Sequence, residues 1–188
     1  MKRVLVLFGT TDGHTRKVAE RLGDTLRELR SVADIVEAGT ADVAPDDYDG
    51  IIVCASIHAG GYQRSVKRWV RQYADRLRPK PTAFVSVCLA VLQKDAKVAQ
   101  DLDAIVTRFV NATSWQPTVV KKVAGALLYR QYGVIKRWMM KRIVTKAGGD
   151  TDTSRNYEYT DWNDLRAFAS DFVRLLSPRA SVKVAAGF

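Results

Sequence analysis

Acidic side chains are missing from one long part of this 188-residue chain. No Asp or Glu occurs between Ala104 and Gly149, while Lys and Arg in the same stretch supply most of the net charge of +10. Such segregated positive charge indicates an anionic partner, and phospholipid headgroups, nucleic acid and an acidic small molecule are all admissible. The cations of this stretch are Arg108, Lys121, Lys122, Arg130, Lys136, Arg137, Lys141, Arg142 and Lys146.

Long apolar runs and cysteines are also scarce. No stretch reaches the roughly 18 to 20 uninterrupted apolar residues of a membrane-spanning helix, and the start lacks the apolar region of a secretory signal, so we expect a cytoplasmic protein. The two cysteines, Cys54 and Cys88, stand in apolar strand-like runs without the spacing of metal ligands. This placement predicts buried, reduced thiols and no metal site.

The length of the chain sets its domain organisation. A chain of 188 residues with 47% apolar composition suits one core and is too short for two ordinary domains with a linker. We predict a single domain over residues 1–177 and a C-terminal tail over 178–188. Residues from about 128 to 159 form a predicted insert, because an ordinary connection has only about six residues.

Apolar runs and amphipathic segments alternate along the chain. Short runs rich in Val and Ile predict strands buried on both faces, and the segments between them have the three- and four-residue spacing of helices. The alternation predicts a parallel sheet covered by helices on both faces, with ligands beyond the carboxyl ends of the strands. Strands are predicted at 4–8, 33–36, 51–55 and 82–87 and within 119–127. After the first strand, Val18, Leu22, Leu26 and Leu29 have helical spacing. A last helix is predicted from about Asp161, capped by Thr160 or Asp161 and ended by Pro178.

The loop after the first strand, GTTDGHT, is rich in small and hydroxyl residues. Gly9 and Gly13 allow a sharp turn, and the following helix offers unpaired amides, which together suit a phosphate. The loop has no Lys or Arg, and the patterns GxxxxGK[ST] and GxGxxG are absent, so a terminal monophosphate fits better than ATP or a dinucleotide. Asp12 would repel a phosphate and is expected to point away or to cap the helix. A plain polar turn without a ligand is the alternative.

This loop resembles the FMN phosphate loop of flavodoxin-like proteins: a hydroxyl residue, any residue, a hydroxyl or acid, Gly, any residue, then Thr. The segments YDGIIVCASIHAGGY, WQPTVVKKVAGALLYRQY and GGDTDTSRNYEYTDW are more specific, and they resemble the menaquinone-dependent protoporphyrinogen IX dehydrogenases of that fold. The resemblance extends over roughly residues 3–176.

The resemblance implies an α/β fold of the flavodoxin-like type, a doubly wound five-stranded parallel sheet in the order 2-1-3-4-5 with a basic helical insert after the fifth strand. It also implies an FMN cofactor between the loops after the first, third and fourth strands. The third-strand loop offers His58 and Ala59 where an aromatic or large side chain is expected beside the flavin. The implied cofactor-binding residues are Thr10, Thr11, Asp12, Gly13, His14 and Thr15 for the phosphate, and Ser56, Ile57, His58, Ala59, Gly60, Ser86, Val87, Cys88 and Leu89 for the ring.

For activity, the resemblance implies removal of six electrons from protoporphyrinogen IX and their transfer to a membrane quinone, menaquinone or ubiquinone. The protein would then work at the inner face of the cell membrane as a peripheral protein. The flavin would carry the chemistry. No side chain is required by the sequence as a general base, and His58 is the candidate closest to the implied ring position.

The basic insert interleaves Trp and Met with Lys and Arg, and its faces do not separate cleanly at 100° per residue. Long basic side chains suit a bilayer interface with anionic lipid, although a helix packed in the core is an alternative reading. No nucleic-acid-binding motif accompanies the charge, so nucleic acid is not predicted as a partner. The candidate substrate or membrane residues are Tyr129, Arg130, Tyr132, Lys136, Arg137, Trp138, Lys141 and Arg142, of which Tyr129, Arg130 and Tyr132 either line a porphyrin site or fix the insert to the sheet.

Three other functions stay open at the level of sequence. They are a flavodoxin-like electron carrier, against which the positive charge argues, an NAD(P)H:quinone reductase, and a basic binding module with an empty loop. Self-association of the chain is also left open.

Overall fold

The computed structural model describes residues 1–40, 42–93, 95–131, 144, 150 and 152–176. Five parallel strands form one sheet in the order β2-β1-β3-β4-β5, which confirms the predicted topology. The central strands are apolar at consecutive positions because both of their faces are covered. The strands are β1 (Arg3–Gly9), β2 (Val32–Glu37), β3 (Gly50–Ser56), β4 (Thr82–Val87) and β5 (Val119–Val123).

In the described ranges four α-helices cover the sheet, and side chains that alternate along β1 reach both layers. Val4 and Val6 belong to the apolar cluster that includes α1 and α4, whereas Leu5 and Leu7 belong to the cluster that includes α2 and α3. The sheet therefore separates two apolar layers of similar size. The helices are α1 (His14–Glu28), α2 (Arg64–Leu77), α3 (Ala96–Thr113) and α4 (Trp162–Leu176).

The helical patterns agree with the structure except at the end of α1. Val18, Leu22 and Leu26 are fully buried on α1, but Leu29 follows the end of that helix, so the prediction for Leu29 is wrong. At the start of α4, the Asp161 carboxylate accepts hydrogen bonds from two main-chain amides, each at 3.0 Å, which confirms Asp161 as the cap. Pro178 and the predicted tail lie outside the described residues.

The chain after β5 departs from the predicted pattern. The fifth strand was predicted within 119–127, and β5 lies in that range and ends at Val123. A separate short strand that was not predicted, β6 (Ala126–Leu127), pairs antiparallel with β7 (Tyr157–Glu158). Leu127, Tyr129 and Val144 form a third buried cluster there, which we call the post-sheet cluster. Periodicity could not identify β6 and β7, because each has only two residues.

Much of the predicted insert falls outside the described residues, including Tyr132, Lys136, Arg137, Trp138, Lys141 and Arg142. Its predicted helix therefore stays a prediction. In the described part of the chain, no helix combines the length and apolar character that crossing a bilayer would need.

The two cysteines are both free thiols, but their burial differs. Cys54 is fully buried in β3, as expected, whereas Cys88 is only partly buried, so the expectation of full burial is wrong for Cys88. Burial raises the pKa of both thiols, which keeps them protonated near neutral pH.

Candidate functional site

The loops after β1, β3 and β4 leave the sheet side by side. Gly9 at the end of β1 pairs with Ala55 of β3, and Ser56 at the end of β3 pairs with Val87 of β4. The pairing continues one step further, since the Ile57 amide donates to the Val87 carbonyl at 3.0 Å. The structure therefore brings the three predicted segments to one edge, where ligands of parallel sheets bind.

The first loop has the backbone of a helix N-terminus open to an anion. Gly13 is the N-cap residue of α1 and has φ of +90°, a conformation that favours glycine. Because glycine has no side chain, it makes no side-chain capping hydrogen bond. The Thr10 hydroxyl accepts a hydrogen bond from the Gly13 amide at 2.9 Å and so holds the turn closed. Thr11 is exposed in the same loop, and Thr15 is buried in the first turn of α1.

Gly9 serves a different purpose from the one expected. It ends β1 and does not take a left-handed conformation, so the predicted turn depends on Gly13. A Cβ at residue 9 would lie 2.4 Å from Val66 Cγ2, so glycine here allows α2 to approach the sheet.

The Asp12 side chain reaches the third-strand loop. Its carboxylate lies 3.8 Å from His58 Nε2, and both side chains are partly exposed. The expectation that Asp12 points away from a phosphate or caps α1 stays a prediction. The contact places this negative charge next to the imidazole and joins the first and third loops.

The His14 side chain is engaged with the C-terminal part of the chain. Its Nε2 lies 2.7 Å from the Thr160 hydroxyl, which itself donates to the Ala124 carbonyl at 2.7 Å, so we assign the Nε2 proton as the donor to Thr160. Burial lowers the pKa of His14, and the nearby Glu158 carboxylate opposes this only in part. A neutral ring is thus held in place, and the main chain of His14 is the part available to an anion in the loop.

The tip of the third-strand loop is a tight turn. His58 and Gly61 exchange two main-chain hydrogen bonds, of 2.8 and 3.0 Å. Ala59 and Gly60 between them have φ of +46° and +75°, the pattern of a type I′ turn. A non-glycine residue at positive φ is uncommon, and such strain is concentrated at functional sites. The four residues of this turn, 58–61, include no Phe, Tyr or Trp.

Tyr62 supplies an aromatic ring near the site, but the ring is part of the core. It packs edge-on against Phe84 and Phe109, with centroids 4.9 and 5.0 Å away. Its hydroxyl lies 2.7 Å from the hydroxyl of Ser86 at the end of β4, and burial raises the pKa of Tyr62 to about 12. Tyr62 therefore connects the third-strand loop to β4 and fixes Ser86.

Sequence reasoning missed Gln63, the residue that precedes α2. Its carboxamide bonds to Thr11 of the first loop and to Ser56 at the end of β3. The available signal was a polar residue immediately before a helical pattern, but nothing in the sequence identifies its distant partner Thr11.

The fourth-strand loop continues as a short 3-10 turn, Leu89–Leu92. The Cys88 amide donates to the Val123 carbonyl at 3.0 Å, and the Cys88 sulfur accepts from the Ala90 amide at 3.4 Å. Leu92 is 46% exposed, so this side of the site presents apolar surface to solvent.

The two described candidates from the insert have different surroundings. Tyr129 is fully buried and its hydroxyl donates to the Asp150 carbonyl at 3.0 Å, which favours the alternative that Tyr129 fixes this segment to the rest of the fold. Arg130 is exposed, and its amide donates to the Asn156 side chain at 3.0 Å.

Part of the basic charge is neutralised within the fold. Lys121 pairs with Asp164 and Lys122 pairs with Asp103, each at 2.6 Å. Two of the cations from the acid-free stretch therefore face acids from other parts of the chain. The excess charge available to a partner is smaller than the sequence alone suggests.

A shallow groove of about 510 Å³ lies between α1 and β2. Its walls include Phe8, Ile35 and an ion pair between Arg16 and Glu37. None of the predicted cofactor-binding residues lines this groove, so we do not assign it to the site at the strand ends.

The chemistry of the strand-end site fits a phosphorylated flavin. The first loop offers hydroxyls and amides, which are neutral donors suited to one phosphate. The loops 56–61 and 86–92 leave the same sheet edge, where ligands of parallel sheets bind.

A protein family and two named proteins are similar to this chain. The flavodoxin domain family matches residues 5–154. The chain is 34% identical over 174 residues to a protein of Escherichia coli (strain K12) named protoporphyrinogen IX dehydrogenase [quinone], covering 92% of this chain and 96% of that protein. A protein of Leishmania major with the same name is 34% identical over 177 residues, covering 92% and 75% respectively.

Solved structures show the same fold at low sequence identity. A short-chain flavodoxin associated with a non-canonical PDU bacterial microcompartment has a TM-score of 0.61 at 18% identity, covering 94% of this chain and 100% of that chain. Oxidised flavodoxin 1 of Bacillus cereus has a TM-score of 0.56 at 16% identity, covering 93% and 99%. The flavodoxin domain indicates a flavin cofactor. The chain therefore belongs to the flavodoxin-like protoporphyrinogen IX dehydrogenases, a family of oxidoreductases.

Proposed function

We propose that this protein binds FMN and oxidises protoporphyrinogen IX to protoporphyrin IX, with menaquinone or ubiquinone as electron acceptor. The substrate loses six hydrogens as three pairs, and each pair, two electrons and two protons, reduces one quinone to a quinol. The observation that carries the proposal is the convergence of the loop 10–15 with the loops after β3 and β4, in a chain 34% identical to dehydrogenases named for this substrate and acceptor.

The first loop would hold the phosphate of FMN. Thr10 and Thr11 supply hydroxyls, and the main chain of residues 14 and 15 supplies amides at the start of α1. The ring would lie between residues 56–60 and 86–89. When bound, the flavin supplies two-electron redox chemistry that no side chain of the protein provides.

The chain itself would mainly bind and orient. Cys54 is fully buried with a raised pKa, and Tyr62 has a raised pKa and is bonded to Ser86, so neither is suited to take a proton from a substrate at neutral pH. His58 stands at the loop tip beside Asp12 and is partly exposed to water. Protons can therefore leave through solvent, and we assign no obligatory base.

Association with the membrane would bring the flavin close to a quinone. The residues on which this part rests, among them Trp138, Lys141 and Arg142, lie outside the described residues. The test is a deletion of residues 133–146, which we expect to abolish sedimentation with anionic vesicles while FMN stays bound. Sedimentation that persists in the deletion variant would contradict the anchor.

The activity is tested with anaerobic protein reconstituted with FMN. Protoporphyrinogen IX is added with or without a menaquinone analogue, and the fluorescence of the porphyrin product is followed against a protein-free control for autoxidation. We expect a gain that requires both protein and quinone. No quinone-dependent gain over the control would contradict the proposal, and bleaching of the flavin by NADPH would instead indicate an NAD(P)H:quinone reductase.

A further inference from the structure

Gln63 joins two loops of the proposed flavin site. Its Nε2 lies 3.0 Å from the Thr11 hydroxyl and 2.8 Å from the Ser56 hydroxyl, and its Oε1 lies 3.3 Å from the Ser56 amide. One side chain therefore connects the first loop to the end of β3.

The orientation of the carboxamide follows from these contacts. A main-chain amide can only donate, so the atom that faces the Ser56 amide must be the carbonyl oxygen of Gln63. The NH₂ group then faces both hydroxyls as donor. The reverse orientation would set two N–H donors against each other at Ser56.

This orientation determines what the hydroxyls can offer to a ligand. The Thr11 and Ser56 oxygens each accept a hydrogen bond from Gln63, so each hydroxyl keeps its own hydrogen for another acceptor. Thr10 is arranged in the same way by the Gly13 amide. Three hydroxyls around the loop are thus set as donors, which is the role that a phosphate and the polar chain of a flavin require.

Packing keeps the Gln63 side chain in this position. A Cβ added at Gly9 would lie 3.1 Å from Gln63 Cβ and 3.3 Å from its Cγ, so the stem of Gln63 lies over the end of β1. The carboxamide is therefore held between the loops by contact with the sheet edge as well as by hydrogen bonds.

We propose that Gln63 is a positioning residue that sets the Thr11 and Ser56 hydroxyls as donors, and that through Thr11 in the first loop it makes the site select FMN over riboflavin. The inference rests on the proposed function, because it assumes that a flavin phosphate lies in the first loop. Gln63 itself need not touch the phosphate.

The test compares two ligands that differ only in the phosphate. The flavin-free protein is titrated with FMN and with riboflavin, and quenching of flavin fluorescence gives both dissociation constants. In Gln63→Glu the side chain keeps its shape but only accepts hydrogen bonds, so it captures the two hydroxyl hydrogens and adds a negative charge. We expect the dissociation constant of FMN to rise about 100-fold and that of riboflavin by less than about 3-fold.

A second variant and a control separate positioning from folding. Gln63→Met removes the donors without adding charge, and we expect FMN binding to weaken about 10-fold. Gln100→Glu makes the same charge change on the exposed side of α3 and should leave both constants within about 2-fold of wild type. Thermal unfolding of all variants verifies that they are folded.

The possible failures are distinguishable. If the wild type binds FMN but both Gln63 variants keep its preference for FMN over riboflavin, the positioning role is wrong and the proposed function stands. If the Gln63 variants bind FMN and riboflavin more weakly by the same factor, the role of Gln63 is structural and the positioning role is again wrong. If the wild type binds neither flavin, the proposed function itself fails and this inference fails with it.

Discussion

The two layers of the sheet core and the post-sheet cluster are stabilised in different ways. The layers on either side of β1 consist of apolar side chains, and Val4 and Leu7 are among the many with no exposed surface. The post-sheet cluster adds hydrogen bonds of tyrosine hydroxyls, because Tyr129 bonds to the Asp150 carbonyl and Tyr159, which packs against the cluster, bonds to the Asp150 carboxylate. The sheet is maintained by buried area, and the later segment by directional bonds.

The sheet core forms the frame of the proposed site, whereas the post-sheet cluster belongs to the segment after β5. The strand ends that carry the three loops are fixed by close packing, so their spacing does not depend on any one polar contact. Among the described residues the post-sheet cluster is smaller, and its hydrogen bonds fix a segment whose neighbours in sequence carry the basic residues. We infer that substitutions in the two regions have unequal consequences.

A chain of hydrogen bonds connects the two regions. His14 at the start of α1 bonds to Thr160, and Thr160 bonds to Ala124 just after β5. Next to it, Lys17 pairs with Glu158 at 2.6 Å. The helix that begins at the proposed phosphate loop is therefore coupled to the segment beyond the sheet.

The largest expected effect comes from one substitution made in each region. Leu22 on α1 and Leu127 of β6 are both almost completely buried. Leu22→Ala leaves a cavity in a close-packed layer that cannot collapse, and should lower the free energy of unfolding by about 4 kcal/mol. Leu127→Ala, in the smaller cluster, should cost about 2 kcal/mol. Urea unfolding measures both, and equal costs would contradict the distinction between the regions.

A somewhat smaller effect is expected from a substitution that removes the hydrogen bonds of Thr160, which connect the sheet core to the segment beyond β5. Thr160→Val keeps the shape of the side chain but leaves the His14 N–H and the Ala124 carbonyl without this partner, at a cost of about 2 kcal/mol in the free energy of unfolding. Thr25→Val is the matched control, because the Thr25 hydroxyl is also buried but only donates to the Arg21 carbonyl within α1. A loss at Thr160 no larger than at Thr25 would mean that the connection contributes little.

The frame could be predicted from sequence because its signal is local. Consecutive apolar residues predicted the strand Thr82–Val87 at its observed ends, and the rule for strand ends selected the three loops that the structure brings together. The acid at position 161 likewise acts within its own helix. Each of these features depends on neighbours a few residues away.

The contacts that complete the site could not be predicted in this way. Gln63 bonds to Thr11 across 52 positions, and His14 bonds to Thr160 across 146 positions. A hydrogen bond between such distant residues leaves no periodic pattern, and several polar residues in each loop are equivalent as donors. The role of Gly9 was misjudged for the same reason, since its neighbour is Val66 on a later helix.

The smallest expected effect is a dependence of stability on pH that arises at His14. Its pKa is lowered in the folded state, mainly by burial, from the ordinary value of 6.5, so the unfolded chain binds a proton more readily than the folded one. The stabilisation is therefore complete above about pH 6.5 and is lost as the pH falls below that value. Glu158, which attracts a proton to His14, and Lys17, which repels one, are the charged groups that face it.

The variant His14→Gln isolates this contribution, because glutamine can still donate to Thr160 but does not titrate. Between pH 7.5 and pH 5.5 the wild type should lose about 1 kcal/mol more of its free energy of unfolding than the variant does. Urea unfolding at the two pH values measures the difference. An identical loss in the two proteins would mean that protonation of His14 does not oppose folding, and the bond to Thr160 would then join the regions without making their connection sensitive to acid.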